Sequence, residues 1–388
     1  MKIRATFLPF SRPSIGEDAI ESVAESIRSG WVAMGPKVLR FEQEVAARVG
    51  ATYAVATNSA TAGLHASVLA MGIGPGDEVI TTPLTFASTV NAIVRAGARP
   101  VLVDIDPGSL NINASLIERA ITPRTKALIP VHFAGLPCDM DAIVALAERY
   151  HLMIIEDAAH ALGATYKGKS IGANSGNGHV AVFSFHPTKN ITTAEGGIVC
   201  TEDEAIAEYL SVFRQNGMSK GAWNRYAVSG NNQYDVPIAG LKYQMSDIQA
   251  AIGLSQLKQL EEFNHRRREI SERYLHGLKG CKGIRLQQPP NYDHLHSRHI
   301  FPLILDSDLL GLSRDDFMRQ LRERNIGTAI HYTAIHLFSG FSEATAAKRG
   351  DYPEAEYVSD HIVSIPLFPA MTDDDVDYCI EAILELCH

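Results

Sequence analysis

One lysine stands out for its setting. Lys189 lies inside Phe183-Ser-Phe-His-Pro-Thr-Lys189-Asn-Ile-Thr-Thr-Ala-Glu195-Gly-Gly197, between the apolar runs Val180–Phe185 and Ile198–Cys200. Both runs are short and rich in β-branched or aromatic residues, which predicts strands. A lysine held between two buried strands loses solvation, and its pKa falls unless a partner restores the charge. That is how an amine becomes a nucleophile for Schiff-base chemistry. Taken alone, such a residue more often reads as a solvated lysine at a hairpin tip. Gly196-Gly197 let the backbone pass close to something bulky.

Upstream, Leu152-Met-Ile-Ile-Glu156-Asp157-Ala-Ala-His160 reads as an apolar strand ending in acid. A carboxylate at the carboxyl end of a parallel strand sits where open α/β sheets bind ligands. Asp157 reads as the partner of a pyridinium proton or, equally, as a helix cap or turn residue. Lysine and aspartate together outline a pyridoxal-phosphate (PLP) site.

The elements that must position them alternate. Glu17–Ser29 has helical periodicity and stops at Gly30, and a second helix is expected from Val38 to Arg48. Tyr53-Ala-Val-Ala-Thr57 is a strand whose exit, Asn58-Ser-Ala-Thr61-Ala-Gly63, enters an apolar helix. Small hydroxyl residues at such a turn cap the helix or hold a phosphate. Phe86, past the next strand, is an aromatic at the sheet mouth, available for ring stacking or for the core. Strand and helix signals continue through Val101–Asp104, Ala114–Ala120, Ala127–His132 and Met140–His151, which predicts a mainly parallel, doubly covered sheet. Gly172–Gly178 reads as a surface turn, and Gly217–Gly240 as a long glycine-punctuated loop, functional or mobile. Met245–Leu260 is a helix, and a further long helix starts near Phe263. The strand at Ile300–Leu305 and helices at Arg314–Arg324 and Asp373–Leu386 close the chain. The domain boundary falls along the long helix: a large domain with an amino-terminal arm at 1–260 and a smaller α+β domain at 261–388.

A chain of 388 residues with 46% hydrophobic and 20% charged residues suits a large soluble core. The net charge of −9, with no dense basic stripe, argues against nucleic acid as a partner. Five scattered cysteines show no metal-ligand spacing. No apolar run reaches membrane-span length and no signal-peptide region is visible, so no membrane partner and a cytoplasmic location are expected.

With these pieces on the page, the chain resembles the DegT/DnrJ/EryC1/StrS sugar aminotransferases, fold type I PLP enzymes, nearly end to end. The matching stretches are Gly74-Pro-Gly-Asp-Glu-Val-Ile, Ala120-Ile-Thr-Pro-Arg-Thr-Lys-Ala, Ile155-Glu-Asp-Ala-Ala-His, Phe183-Ser-Phe-His-Pro-Thr-Lys, Glu195-Gly-Gly and Asp247-Ile-Gln-Ala-Ala-Ile-Gly-Leu-Ser-Gln-Leu. Leu8-Pro-Phe-Ser-Arg-Pro, Ser29-Gly-Trp-Val and Ile326-Gly-Thr are similar to the branch that aminates UDP-4-keto sugars, the 4-amino-4-deoxy-L-arabinose enzymes included. The resemblance implies that Lys189 carries the cofactor and shuttles a proton, and that Asp157 pairs with the pyridine nitrogen. It places His160 near the cofactor's 3-hydroxyl, Ala60, Thr61 and Ser184 at its phosphate, and Phe86 on its ring. His186, His331 and Tyr332 fall where substrate would bind, and His336 could join them. Three departures stand out, one of them a Gly172–Gly178 turn a few residues longer than in the arabinose branch. Lys242 and Gln244 occupy the stretch from which family members send asparagine and arginine to the neighbouring subunit's phosphate. Ala194 replaces a frequent glycine.

The expectation is therefore a homodimeric transaminase, with PLP passing through its pyridoxamine (PMP) form. It would move an amino group from glutamate to C4 of a nucleotide-linked, UDP-type, 4-keto sugar, by ping-pong kinetics. Alternatives are a PMP/PLP-dependent sugar dehydratase, which in this family has histidine in place of the lysine, and a non-catalytic sugar-binding or regulatory protein on the same fold.

Overall fold

The computed structural model describes residues 3–173, 176–219 and 234–387. The Gly172–Gly178 turn is therefore covered only in part, and most of the Gly217–Gly240 loop lies outside the described residues.

Among the described residues nine strands precede the long helix: β1 (Tyr53–Thr57), β2 (Glu78–Thr81), β3 (Arg99–Leu102), β4 (Thr125–Leu128), β5 (Met153–Asp157), β6 (Thr165–Tyr166), β7 (Lys169–Ser170), β8 (His179–Ser184) and β9 (Gly197–Thr201). Seven form one sheet in the order β1-β9-β8-β5-β4-β2-β3. Its pairings are parallel from β3 to β8, while β9 runs antiparallel to both β8 and β1. The expected mainly parallel sheet is present. Its single reversed strand is the one that returns from the lysine loop.

The sheet separates two cores. Ile154, Ala181 and Phe183 point to one, together with Phe41, Leu254 and Leu257. Ile155, Val180 and Val182 point to the other, with Leu64, Val68 and Ile93. Successive strand residues alternate faces, so Glu156 belongs to the first side and Asp157 to the second.

A third core forms around β10 (Ile284–Leu286), β12 (Phe301–Leu305) and β13 (Ile362–Ile365), an antiparallel sheet, with β11 (His294–Leu295) pairing instead with β6. Helices Arg314–Glu323 and Asp373–Leu386 cover it through Phe317, Leu321, Val376 and Ile383.

The helix Glu17–Ser29 ends at left-handed Gly30, as its periodicity predicts. The two helices expected around residues 245–277 are a single helix, Asp247–Gly277, opened by a Ser246/Gln249 capping box. No breaker interrupts it, and its buried stripe runs on through Leu260, Phe263, Arg267, Ile270 and Tyr274. Its first half packs in the first core and its second half in the third. The amino-terminal arm also belongs to the third core: Leu8 is buried there and bridges Ile326.

Candidate active site

At the carboxyl ends of the parallel strands, a cavity of about 350 Å³ opens between the sheet and the Ala329–Tyr332 segment. The helix Ala60–Ala70 begins at its floor. Ser59 caps that helix, its hydroxyl accepting from the Ala62 N–H at 3.1 Å, so the Ala60 and Thr61 N–H groups keep no intrahelical acceptor. The helix start can seat this low because Gly197 has no side chain. A Cβ there would come within 2.4–2.7 Å of Ser59 and Ala60 backbone atoms. The bulky neighbour expected for Gly196-Gly197 is thus, at Gly197, the helix-start turn itself and, at Gly196, the Thr193 and Met245 side chains.

The Lys189 loop joins β8 to β9 and is tied down on several sides. The Lys189 N–H donates to the His186 carbonyl at 2.9 Å, and Thr193 N–H donates to the Phe185 carbonyl at 3.0 Å. Asn190 Nδ2 donates to Asn264 Oδ1 (2.6 Å) and to the Ser297 carbonyl (2.9 Å). Ala194 has φ 66°, the left-handed region, which explains why glycine is frequent there and costs alanine roughly 1 kcal/mol. The Lys189 amine opens into the cavity and is otherwise enclosed by protein. Desolvation pushes its pKa down to about 8, against the pull of the Asp157 charge.

Asp157 is 4% exposed. Its Oδ2 accepts from Thr89 Oγ1 at 2.6 Å and its Oδ1 from the Ala159 N–H at 3.2 Å. Burial raises its pKa more than these donors and Lys189 lower it. His160 Nδ1 accepts from the Ala134 N–H at 3.2 Å, which leaves Nε2 to donate to the Tyr332 hydroxyl at 2.9 Å. Burial, with Lys189 and His331 nearby, holds this imidazole well below its usual pKa, so it is neutral. His331 bonds to Ser364 Oγ (2.9 Å), and burial takes its pKa down to about 3. Phe86 is 59% exposed, with Tyr332 at 6.0 Å between ring centres, an apolar face turned to the opening.

Ala60, Thr61, Phe86, Asp157, His160, Ser184, His186, Lys189, His331 and Tyr332 all line this one cavity. Lys242 does not: its amine bonds to Gln244 Oε1 and its carbonyl accepts from Asn58 Nδ2 at 3.2 Å. His336 is also elsewhere, buried at 2.9 Å from Glu356 Oε1. His299 and Thr89 were not visible as site residues. Thr89 lies on the helix Ala87–Arg95, one turn from Phe86, and a hydroxyl one helical turn beyond a sheet-mouth aromatic is the only signal that could have found it. Nothing in the local pattern around His299 marks it; it arrives from the lead-in to β12.

A flat anionic pyridine aldehyde matches this lining. The free N–H groups and Ser184 suit its phosphate, Asp157 its ring nitrogen, Lys189 its aldehyde and the exposed Phe86 its face. Among the described residues no helix is long and apolar enough to cross a membrane, and no group of three or more side chains could hold a metal ion.

Residues 13–384 match the DegT/DnrJ/EryC1/StrS aminotransferase family. Spore coat polysaccharide biosynthesis protein SpsC of Bacillus subtilis is 46% identical over 384 residues, covering 99% of this chain and 98% of SpsC. Spr1654 of Streptococcus pneumoniae, assigned as a sugar aminotransferase and solved in its PMP form, superposes with a TM-score of 0.90 at 31% identity over 98% of both chains. PseC of Helicobacter pylori, an aminotransferase of pseudaminic acid biosynthesis, gives 0.89 at 27% identity, covering 98% of this chain and 99% of PseC. The chain therefore belongs to the DegT/DnrJ/EryC1/StrS family of PLP-dependent aminotransferases acting on sugars.

Proposed function

We propose that the enzyme takes an amino group from glutamate and delivers it to C4 of a nucleotide-linked, UDP-type, 4-keto sugar. The observation that carries this reading is one cavity into which the Lys189 amine and the Asp157 carboxylate both open, beside an unsatisfied helix start. PLP bound there supplies the electron sink that lets the donor's Cα proton leave. Lys189 anchors the cofactor and, once released, accepts that proton on Nζ; an amine with a pKa near 8 suits a base at neutral pH. Asp157, steadied by Thr89 and the Ala159 N–H, holds the proton on the ring nitrogen. His160 orients the 3-hydroxyl side, Ala60, Thr61 and Ser184 bind phosphate, and Phe86 covers the ring. His186, His331 and Tyr332 meet the sugar at the mouth.

The two half-reactions share one site, so kinetics are ping-pong. A homodimer fits the exposed apolar side chains Ile20, Ile27, Trp31, Val32, Leu39 and Leu241, which a partner subunit would cover. Lys242, also exposed, would reach the partner subunit's phosphate. Five free thiols fit a cytoplasmic setting. The part SpsC plays in spore coat polysaccharide biosynthesis, and PseC in pseudaminic acid biosynthesis, supports a sugar bound for a polysaccharide.

The test is incubation with glutamate and a panel of UDP-, dTDP- and GDP-4-keto sugars, read by mass. Amination of a UDP sugar is expected. Deoxy rather than amino products, or none, would overturn the reading.

A further inference from the structure

We propose that His299 is a further catalytic residue, whose Nε2–H donates to the neutral Lys189 amine and holds that amine ready to react. This rests on the reading that Lys189 acts as a free amine during turnover.

His299 is 3% exposed, and its Nε2 lies 3.5 Å from Lys189 Nζ. Its backbone is fixed from two sides. The His299 N–H donates to the Ala134 carbonyl at 2.9 Å, and Arg267 Nη1 donates to the His299 carbonyl at 3.0 Å. The ring packs on His160 with centres 4.3 Å apart. Its Nδ1 is buried without a hydrogen-bond partner among the described residues.

Those facts choose a tautomer. Burial and the nearby His160, Lys189, Arg267 and His331 all oppose a charge on the ring, so it carries one proton. With that proton on Nδ1, the protein would bury an unpaired N–H, which native structures rarely do; on Nε2, only an acceptor lone pair goes unmet. The Nε2–H then points at Lys189. An ammonium has no lone pair to receive it, whereas a neutral amine does. His299 therefore favours the neutral amine, while Asp157 favours the ammonium. Of the other groups around the cavity, His160 and His331 are neutral, Tyr332 is held protonated by burial and Asp157, Arg267 reaches only backbone carbonyls, and His186 and Glu195 line it as exposed side chains that meet both variants and wild type alike.

The test is made on the apoprotein. Reductive methylation is followed from pH 6 to 10, and modification at Lys189 is measured by peptide mass spectrometry in wild type, His299→Leu and His299→Gln. Loss of the donor in His299→Leu should move the Lys189 midpoint upward, lowering its reactivity at pH 7 about tenfold. His299→Gln, which can still donate, should stay near wild type. A midpoint that is unmoved or falls in His299→Leu would overturn the proposal, since His299 would then be packing only or accepting from the ammonium. If His299→Leu fails to fold, His299→Phe, which keeps a ring against His160, gives the same comparison. No cofactor or sugar enters this experiment, so its failure leaves the transamination of the wild type to be judged separately.

Discussion

Glu156 and Asp157 are neighbours on one strand, both buried carboxylates, and the fold treats them in opposite ways. Glu156 faces the first core and accepts from two imidazoles, His132 at 2.7 Å and His179 at 2.8 Å, which bring its pKa down to about 2 despite burial. Asp157 faces the cavity with one hydroxyl and one N–H, and burial raises its pKa. A carboxylate surrounded by paired donors is a structural tie. One left with its charge partly unmet is available to a ligand, and the cation it lacks is what a protonated pyridine ring supplies.

The largest expected effect breaks the contrast on the cavity side. Asp157→Asn should cut transamination by roughly 10²–10⁴-fold, while the apoprotein's thermal midpoint holds or rises, because a charge disfavoured by burial has gone. Glu156→Leu should do the reverse. Stranding two imidazoles costs about 3 kcal/mol, seen as a lower urea midpoint, with the turnover of folded enzyme kept. Acid sharpens the same point. Because the folded pKa of Glu156 is depressed, its contribution is complete above the unfolded value of about 4.5 and drains away as pH falls toward about 2. Asp157, shifted upward, pushes the other way, gaining stability as it protonates. Acid titrations of Glu156→Leu and Asp157→Asn should therefore deviate from wild type in opposite directions. Thr89→Val removes one donor from Asp157 and should lower activity about tenfold, with the acid limb of the pH–rate profile moved upward. Smallest of all, Ala194→Gly relieves a left-handed alanine and should stabilise by roughly 1 kcal/mol, with little change in rate.

The same pair shows what a sequence exposes and what it hides. Asp157, His160, Ser184 and Lys189 were legible because each sits at the end of an apolar strand or within five residues beyond it, and strand ends in a parallel sheet gather at one edge. Ala60 and Thr61 were legible as a helix start. That Glu156 faces away from Asp157 follows from strand alternation alone, but its two histidine partners come from the loop beyond β4 and from the start of β8, and their meeting is a tertiary fact. His299 and Arg267 were hidden for the same reason: they enter from the lead-in to β12 and from the middle of a helix, about 80 to 110 residues from the lysine they surround. The unbroken helix Asp247–Gly277 was read as two because its apolar stripe changes partner core partway along.

The central claim is that Lys189 and Asp157 serve one PLP ring. The most direct measurement is borohydride reduction of the PLP-loaded enzyme, followed by peptide mapping. The account predicts a pyridoxyl group on Lys189 and on no other lysine; the group on a different lysine, or no fixed cofactor at all, would contradict it.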